Sequence, residues 1–249
     1  MRPLVEASSG RTSTLPVTGA LLAGGLGLRL GGTLKAELRY RGETLLSRGL
    51  RFLGGLCSEV VLLPGPHRFD VDVRQLPDAP DGRGAPGALL AALEATRLPW
   101  VFALGVDMPA PLLATARSLF ARMGDADAIC YVREGRLEPL YAFYSFRCGP
   151  IFRRRLERGG ASFGELLSLV TARRIPIAAG RTTRYLDNVN TEAEAARLGI
   201  DVSFASRTIA ASAAPAAPGR AGRPRAPRAS RAAAAAPRRA ARRRRAPRK

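Results

Sequence analysis

The residues best suited to chemistry lie in a glycine-rich stretch at positions 17–35, which reads VTGALLAGGLGLRLGGTLK. A short apolar run is followed by five glycines, with Arg29 inside the loop and Lys35 at its end. Glycine lets backbone N–H groups approach an anion without a Cβ in the way, and basic side chains neutralise its charge. The chain is rich in arginine, yet Lys35 and Lys249 are its only lysines. This pattern predicts a phosphate-binding loop, although it matches neither GxxxxGK[ST] nor GxGxxG and a plain turn is the alternative.

Two further groups of polar residues are candidates for the same site. Asp107 follows the apolar run 100–106, which predicts a carboxylate at the end of a buried strand. There it could bind Mg²⁺ beside phosphates, since one or two protein carboxylates are enough for Mg²⁺. The alternative is that Asp107 caps the next helix. Asn188 and Asn190 alternate along an extended segment, so we expect their amides to face the same way, toward a substrate. The alternative there is turn and cap chemistry around Thr191.

Other catalytic groups are not indicated. His67 is the only histidine and lies in a Pro-Gly-Pro-His turn, with no acid partner or nucleophile of the kind that a catalytic triad requires. Cys57, Cys130 and Cys148 are odd in number and widely spaced, with no metal-ligand pattern. They predict buried free thiols in a reducing cytoplasm.

The elements that must position these residues alternate between strands and helices. Apolar runs predict strands at 17–22, 59–63, 100–105, 128–132, 140–145 and, at a sheet edge, 174–177. Helical spacing predicts helices at 45–53, 87–96, 111–123, 147–158, 163–169 and 192–198, the first ending at Gly54-Gly55. Thr44, Ser162 and Thr191 are the predicted caps of the first, fifth and sixth of these helices. Strand, glycine loop, helix and strand make a βαβ unit with its loop at the carboxyl end of the first strand, where ligands bind in open α/β sheets. We expect one three-layer α/β domain with a mainly parallel sheet.

Charge separates this domain from its flanks. The chain has 249 residues and a formal charge of +20, but the residues from 207 onward carry 14 basic and no acidic side chains, so the remainder carries about +6. The sequence predicts a flexible lead-in at 1–16, a domain at 17–205 and a disordered Ala/Pro/Arg-rich tail at 206–249. The tail's charge predicts weak, sequence-independent binding to polyanions such as nucleic acid; the alternative is an extension without a dedicated role. No apolar run is long enough for a membrane span, and no signal peptide is indicated.

The motifs occur in an order that resembles a known family. Leu22-Ala23-Gly24-Gly25, then Arg29, Gly31-Gly32 and Lys35, resembles the LAGG-x3-R-x-GG-x-x-K signature of molybdenum cofactor guanylyltransferases. Later segments resemble the family's GPLAG, CDMP, EPLxA, GERSLRALL and NVNT motifs, at positions 84–88, 106–109, 138–142, 159–167 and 188–191. The resemblance covers residues 17–200. Glu192 replaces the proline that usually follows NVNT, and two further departures matter more. Leu34 replaces the usual Asp before the loop lysine, and Leu63 stands where an Asn often contacts the nucleotide.

This resemblance implies a Rossmann-like nucleotidyltransferase that joins GMP from GTP to molybdopterin and releases pyrophosphate. It implies roles for ten residues. Seven would contact the nucleotide or substrate: Leu22, Ala23, Gly24, Gly25, Asp78, Asn188 and Asn190. Lys35 with Arg29 would bind phosphate, and Asp107 would bind Mg²⁺. It implies a cytoplasmic enzyme that is a monomer or a weak oligomer. The alternatives are a sister enzyme, which would use CTP or another phosphorylated acceptor, and a degenerate, non-catalytic member.

Overall fold

The computed structural model of the chain describes residues 13–30, 32–77, 84–178 and 181–203. Most of the predicted lead-in, Gly31, Asp78 and the basic tail lie outside the described residues. In the part of the chain that is described, no helix is long and apolar enough to cross a membrane.

A seven-stranded sheet forms the centre of the described residues. Its strands in chain order are β1 Leu15–Leu22, β2 Cys57–Leu63, β3 Arg74–Gln75, β4 Trp100–Gly105, β5 Ala128–Arg133, β6 Arg136–Ser145 and β7 Ala172–Ile177. The spatial order is β7-β5-β6-β4-β1-β2-β3. Only β6 among these strands runs antiparallel, against both of its neighbours, which confirms the prediction of a mainly parallel sheet with an edge strand near residue 174.

Helices cover both faces of the sheet and give the three layers that the sequence predicts. They are α1 Leu45–Leu56, α2 Gly84–Ala95, α3 Leu113–Ala121, α4 Cys148–Glu157, α5 Phe163–Ser168 and α6 Glu192–Leu198. One buried cluster joins the sheet to α1, α3 and α6, and a second joins it to α2, α4 and α5. Successive side chains of β4 alternate between the two clusters: Phe102 and Leu104 enter the first, Val101 and Ala103 the second.

Short elements that the sequence analysis missed complete the fold. Two-residue strands lie at Leu26–Gly27, Thr33–Leu34, Arg39–Tyr40, Glu43–Thr44 and Ile200–Asp201, and 3₁₀ turns lie at Leu28–Leu30, Lys35–Glu37 and Arg181–Leu186. The first two of these strands pair with each other inside the glycine-rich loop. Because they are so short, they have no periodicity that a sequence pattern could reveal.

Several predicted boundaries shift by a few residues, and two of the shifts have an identifiable reason. The helix α1 does not end at Gly54-Gly55 but continues to Leu56, whose fully buried side chain outweighs the poor helix propensity of glycine. Strand β6 begins at Arg136 rather than at residue 140. Its Pro139 lies within an irregularity of the β5–β6 pairing, where a proline does not disrupt the ladder.

Candidate active site

The site lies at the carboxyl edge of the sheet, where β1 ends between β2 and β4. In the strand register Leu22 is level with both Leu63 and Gly105. The pairing continues past the strand ends, because the N–H of Ala23 donates to the carbonyl of Leu63 at 2.8 Å and that of Val106 donates to the carbonyl of Leu22 at 3.1 Å. The glycine-rich loop and the residues after β4 therefore emerge side by side, as the sequence predicts.

A charged contact joins these two segments. The Nζ of Lys35 lies 2.8 Å from Oδ2 of Asp107, and it donates a second hydrogen bond to Oδ1 of Asn190 at 2.6 Å. The side chains of Lys35 and Asp107 are 11% and 20% exposed, so the pair is sheltered but open to solvent on one side. Three segments that are distant in the chain thus converge on one ammonium group.

Asp107 is not a helix cap. Helix α3 begins at Leu113, and its N-cap is Leu112, which makes no side-chain cap hydrogen bond. The capping interpretation of Asp107 is therefore wrong. The alternative that placed Thr191 in a cap is confirmed, since Thr191 and Glu194 form a capping box at the start of α6.

Two glycines make close approaches around the site. A Cβ on Gly105 would lie 2.7 Å from Oδ1 of Asp107, so a side chain there would displace the carboxylate. A Cβ on Gly24 would lie 2.7 Å from Cα of Gly65, which itself has a φ of +63°. Because the main chains of the two loops are in contact at Gly24 and Gly65, the glycine-rich loop is held against the end of β2.

A cavity of about 230 Å³ opens between these groups. It is lined by Leu22, Gly24, Gly25, Lys35, Leu63, Gly84, Ala85, Ala88, Gly105, Val106, Asp107 and Leu140. Five of the residues that the sequence analysis selected therefore meet in one place. Ala23 is fully buried and Arg29 is exposed on the 3₁₀ turn Leu28–Leu30; neither lines the cavity, and their roles stay predictions.

The segment 187–190 reaches the site from the opposite end of the chain. The N–H of Val189 donates to the carbonyl of Asp107 at 3.0 Å, and the Val189 side chain is fully buried. Asn190 contacts Lys35, as described above. Within the described residues Oδ1 of Asn188 is buried and has no hydrogen-bond partner. Only Asn190 of the two asparagines is thus shown in contact with the charged pair.

Beside this segment lies an ionic cluster that the sequence analysis did not find. Arg133, at the end of β5, is joined to Glu138 and to Asp187. Burial raises the pKa of Glu138; Arg133 opposes that rise, whereas the negative charges of Asp107 and Asp187 add to it. Burial acts to lower the pKa of Arg133, but hydrogen bonds and charges from Asp187 and Glu138 outweigh it and raise that pKa. No motif spacing links residues 133 and 187, so a sequence pattern could not have revealed the cluster.

The donor atoms fit a magnesium ion that is only partly coordinated by protein. The carboxylate of Asp107 and the amide oxygen of Asn190 already converge on one cationic group, the Lys35 ammonium. Both are hard oxygen donors, of the kind that Mg²⁺ prefers. The described residues contain no cluster of three or more His, Cys, Asp or Glu side chains able to hold a metal. This donor set suits Mg²⁺ that retains water or phosphate oxygens, and it does not suit an all-protein metal cage.

A larger depression lies elsewhere, between α2 and α4. Its volume is about 710 Å³, and it is lined by Leu93, Glu94, Thr96, Phe146, Gly149, Pro150, Arg153 and Arg154. Glu94 and Arg153 in this lining pair with each other at 2.7 Å. The depression is far more open and contains none of the sequence-predicted site residues, so we assign the chemistry to the smaller cavity at the sheet edge.

A glycine-rich loop and a strand-end carboxylate on the carboxyl edge of a mainly parallel, three-layer sheet are typical of nucleotide-binding α/β proteins of the Rossmann-like class. The chain belongs to the MobA-like NTP transferase domain family, whose family model matches residues 19–172, more than half of the sequence. It is therefore a nucleotidyltransferase.

Named relatives agree with this assignment. The chain is 33% identical over 177 residues to a probable molybdenum cofactor guanylyltransferase of Opitutus terrae, a match that covers 66% of this chain and 84% of the relative. Its fold is similar to that of the molybdopterin-guanine dinucleotide biosynthesis protein A of Archaeoglobus fulgidus, with a TM-score of 0.61, 19% identity, and coverage of 73% and 96% of the two chains. It is also similar to a Mycobacterium tuberculosis protein crystallised with manganese, with a TM-score of 0.51, 16% identity, and coverage of 73% and 97%.

Proposed function

We propose that this protein transfers GMP from GTP to the terminal phosphate of molybdopterin and releases pyrophosphate. The observation that carries the proposal is the contact of Lys35 with Asp107 and Asn190 beside the glycine-rich loop. It brings a phosphate-binding cation and a candidate metal ligand to one point on the sheet edge. The relative from Opitutus terrae, a probable molybdenum cofactor guanylyltransferase, supports the choice of substrates.

The proposed reaction does not need a general base. A phosphate monoester is already a competent nucleophile, so the protein must bring two anions together and hold the α-phosphorus in line with the attacking oxygen. Gly24 and Gly25 present main chain without side chains to the cavity, and Lys35 supplies positive charge. These groups offset the repulsion between the substrates and stabilise the charge that develops on the leaving pyrophosphate.

Asp107 would hold Mg²⁺, with Asn190 as a second oxygen donor. Bound there, Mg²⁺ would neutralise phosphate charge and act as a Lewis acid on the phosphoryl group. Lys35 is bonded to both oxygens. With an ion on those oxygens, its ammonium would lie beside the ion and would be free to bind the same phosphates. A protein with a similar fold has been crystallised with manganese, which is consistent with the use of a divalent ion.

Three alternatives differ in substrate or in activity. A sister enzyme would use CTP or transfer to another phosphorylated acceptor. A degenerate member would not turn over, and the departures at Leu34 and Leu63 motivate that alternative. Leu34 nevertheless leaves Lys35 in contact with Asp107, which favours an active enzyme. Leu63 lines the cavity and so bears on the choice of nucleotide.

The test is pyrophosphate release from each of the four NTPs in the presence of molybdopterin and Mg²⁺. We expect GTP to give the highest kcat/KM and the Lys35→Gln variant to lose most of it. A preference for CTP would overturn the guanylyl assignment. No turnover with any NTP, by protein shown to be folded, would favour the non-catalytic alternative.

We further propose a cytoplasmic location and a monomeric or weakly oligomeric state. The location is supported by Cys57, Cys130 and Cys148, which are all buried free thiols, as expected of a protein in a reducing compartment. Sedimentation at several protein concentrations would test the oligomeric state, and a mass that stays dimeric on dilution would contradict it.

A further inference from the structure

At the border of the site, the guanidinium group of Arg133 donates hydrogen bonds from all three of its nitrogens. Its Nε donates to Oε1 of Glu138 at 3.0 Å, its Nη1 to Oδ1 of Asp187 at 2.8 Å, and its Nη2 to the carbonyl of Leu186 at 2.9 Å. The side chains of Arg133, Glu138 and Asp187 are 20%, 10% and 13% exposed. Removing the guanidinium would leave two sheltered carboxylates facing one another without their shared partner, which is costly in a poorly solvated place.

The partners of Arg133 begin the segment that enters the site. Leu186 and Asp187 are clamped by the guanidinium, and the next residues reach Asp107 through the N–H of Val189 and Lys35 through the amide of Asn190. Asn190 is three positions after Asp187, a span of at most about 10 Å in extended chain. A displacement at the clamp is therefore passed to the group that fixes the Lys35 ammonium.

We propose that Arg133 is a positioning residue for nucleotidyl transfer: it ties the segment 186–190 to the hairpin of β5 and β6 and thereby sets the place of Asn190 and Lys35. This inference rests on the proposed function, since it assigns Arg133 a part in that reaction. Arg133 acts through Asn190 and does not line the cavity itself.

The guanidinium geometry matters more than the charge. A planar fork can serve two carboxylates and a carbonyl at once, whereas a lysine ammonium is a point charge on a flexible stem. Arg197 lies 3.7 Å from the other carboxylate oxygen of Asp187, but its side chain is 61% exposed, so screening makes it a weak substitute. We expect Arg133→Lys to keep the charge of the cluster and to lose its positioning.

The chain offers an activity-independent probe, because Lys35 and Lys249 are its only lysines. Full-length protein labelled with ¹³C at lysine Cε should give two side-chain signals, and Lys35→Arg identifies the one from the site. We expect Arg133→Gln and Arg133→Lys both to shift the Lys35 signal. The matched control is Arg155→Gln, which breaks the Arg155–Glu165 pair of 2.9 Å on the other face of the sheet and should leave the signal unchanged. Asp187→Asn serves as a second, milder variant if Arg133→Gln does not fold.

Steady-state kinetics of the Arg133 variants are the second test of the proposal. We expect kcat to fall roughly 10- to 100-fold in Arg133→Lys, the range that a misplaced group can cost, with the KM for the nucleotide changed less than about threefold. An unmoved Lys35 signal in folded Arg133 and Asp187 variants would overturn the proposal, as would an unchanged kcat. If wild-type protein turns over no NTP, the proposed function fails, but the Lys35 signal still decides whether Arg133 positions the site.

Discussion

Lys35 and Asp107 form a 2.8 Å ion pair although 72 residues separate them in the chain. The pair exists because β1 and β4 are parallel neighbours whose carboxyl ends lie level, so the loops that follow them meet. Asn190 completes the contact from 155 residues beyond Lys35. The arrangement places one positive and one negative group beside glycine main chain, where the proposed nucleotidyl transfer would use the positive group to stabilise developing phosphate charge.

The first prediction concerns Asp107. Asp107→Ala should lower kcat/KM on the order of 10³-fold, because it removes the proposed metal ligand and the partner of Lys35. The variant should still fold, with the free energy of unfolding lowered by roughly 1–3 kcal/mol, because the Lys35 ammonium is only 11% exposed and loses its anionic partner. Pyrophosphate release and urea unfolding measure the two effects. The control is Asp125→Ala, at an exposed turn position, and an Asp107 variant as active as this control would show that the carboxylate has no catalytic part.

The second prediction concerns Gly105. In Gly105→Ala the new Cβ would lie 2.7 Å from Oδ1 of Asp107, a flexible side-chain atom that can move away. We therefore expect little loss of stability but a fall in kcat of roughly 10- to 100-fold, because a displaced carboxylate is badly aimed. Steady-state kinetics and thermal unfolding of the same preparation check both parts.

Gly54→Ala is the matched control for that variant. A Cβ at Gly54 meets nothing within 4 Å, and the residue is exposed within α1. This change should leave kcat unaltered and raise the free energy of unfolding by about 0.5–1 kcal/mol, because alanine has the better helix propensity. Equal activity losses in the two variants would contradict the steric account of Gly105.

The third prediction concerns alkaline pH. Burial raises the pKa of Cys57 and of Cys148 from 9.0 to about 12, and that of Cys130 to about 11. In the unfolded chain these thiols lose protons near pH 9, whereas the folded chain keeps them protonated, so the stabilisation is complete below pH 9 and is lost as pH rises through 11–12. The loss reaches about 1.4 kcal/mol per pH unit for each thiol.

Urea unfolding between pH 8 and 11 measures this loss, and thiol titration at pH 8 supplies a second check. We expect no thiol to react in the folded protein and all three to react in urea. A thiol that reacts readily in folded protein would show that its burial is incomplete in solution. A free energy of unfolding that stays constant up to pH 11 would contradict the raised pKa values.

The fourth prediction concerns the basic tail. Removing residues 206–249 should leave pyrophosphate release unchanged, because the site is assembled from residues 22–190. The same truncation should weaken binding to heparin or nucleic acid and flatten its dependence on salt, since 14 basic groups are removed with the residues from 207 onward. Loss of turnover on truncation would mean that the tail contributes to the reaction.

Much of the fold follows from local pattern. The strand Trp100–Gly105 agrees residue for residue with the prediction, and Thr44, Ser162 and Thr191 all cap helices as expected. These features depend on apolar runs and on hydrogen bonds between residues three apart, both of which are visible in a sequence. The two-residue strands and the extent of α1 depend on burial in the finished structure, so a local sequence pattern does not reveal them.

The site residues also fall into those that local sequence features predict and those that only the structure reveals. Lys35, Asp107 and the glycines were selected from residue type and position, but the choice between a cap and a site ligand for Asp107 required the structure. The cluster of Arg133 depends on contacts between residues 54 positions apart, which no local pattern encodes. Asn188 was expected to share the role of Asn190, yet its buried oxygen has no partner within the described residues.

The most direct test of the central claim follows the label of GTP through the reaction. Incubated with molybdopterin and Mg²⁺, GTP labelled at the α-phosphate should transfer its label to a product that contains molybdopterin, and GTP labelled at the γ-phosphate should release its label as pyrophosphate. Lys35→Gln and Asp107→Ala should strongly reduce both the transfer of the α-label and the release of the γ-label as pyrophosphate. Label from the γ-phosphate that appears in free phosphate, with none from the α-phosphate in product, would contradict nucleotidyl transfer at this site.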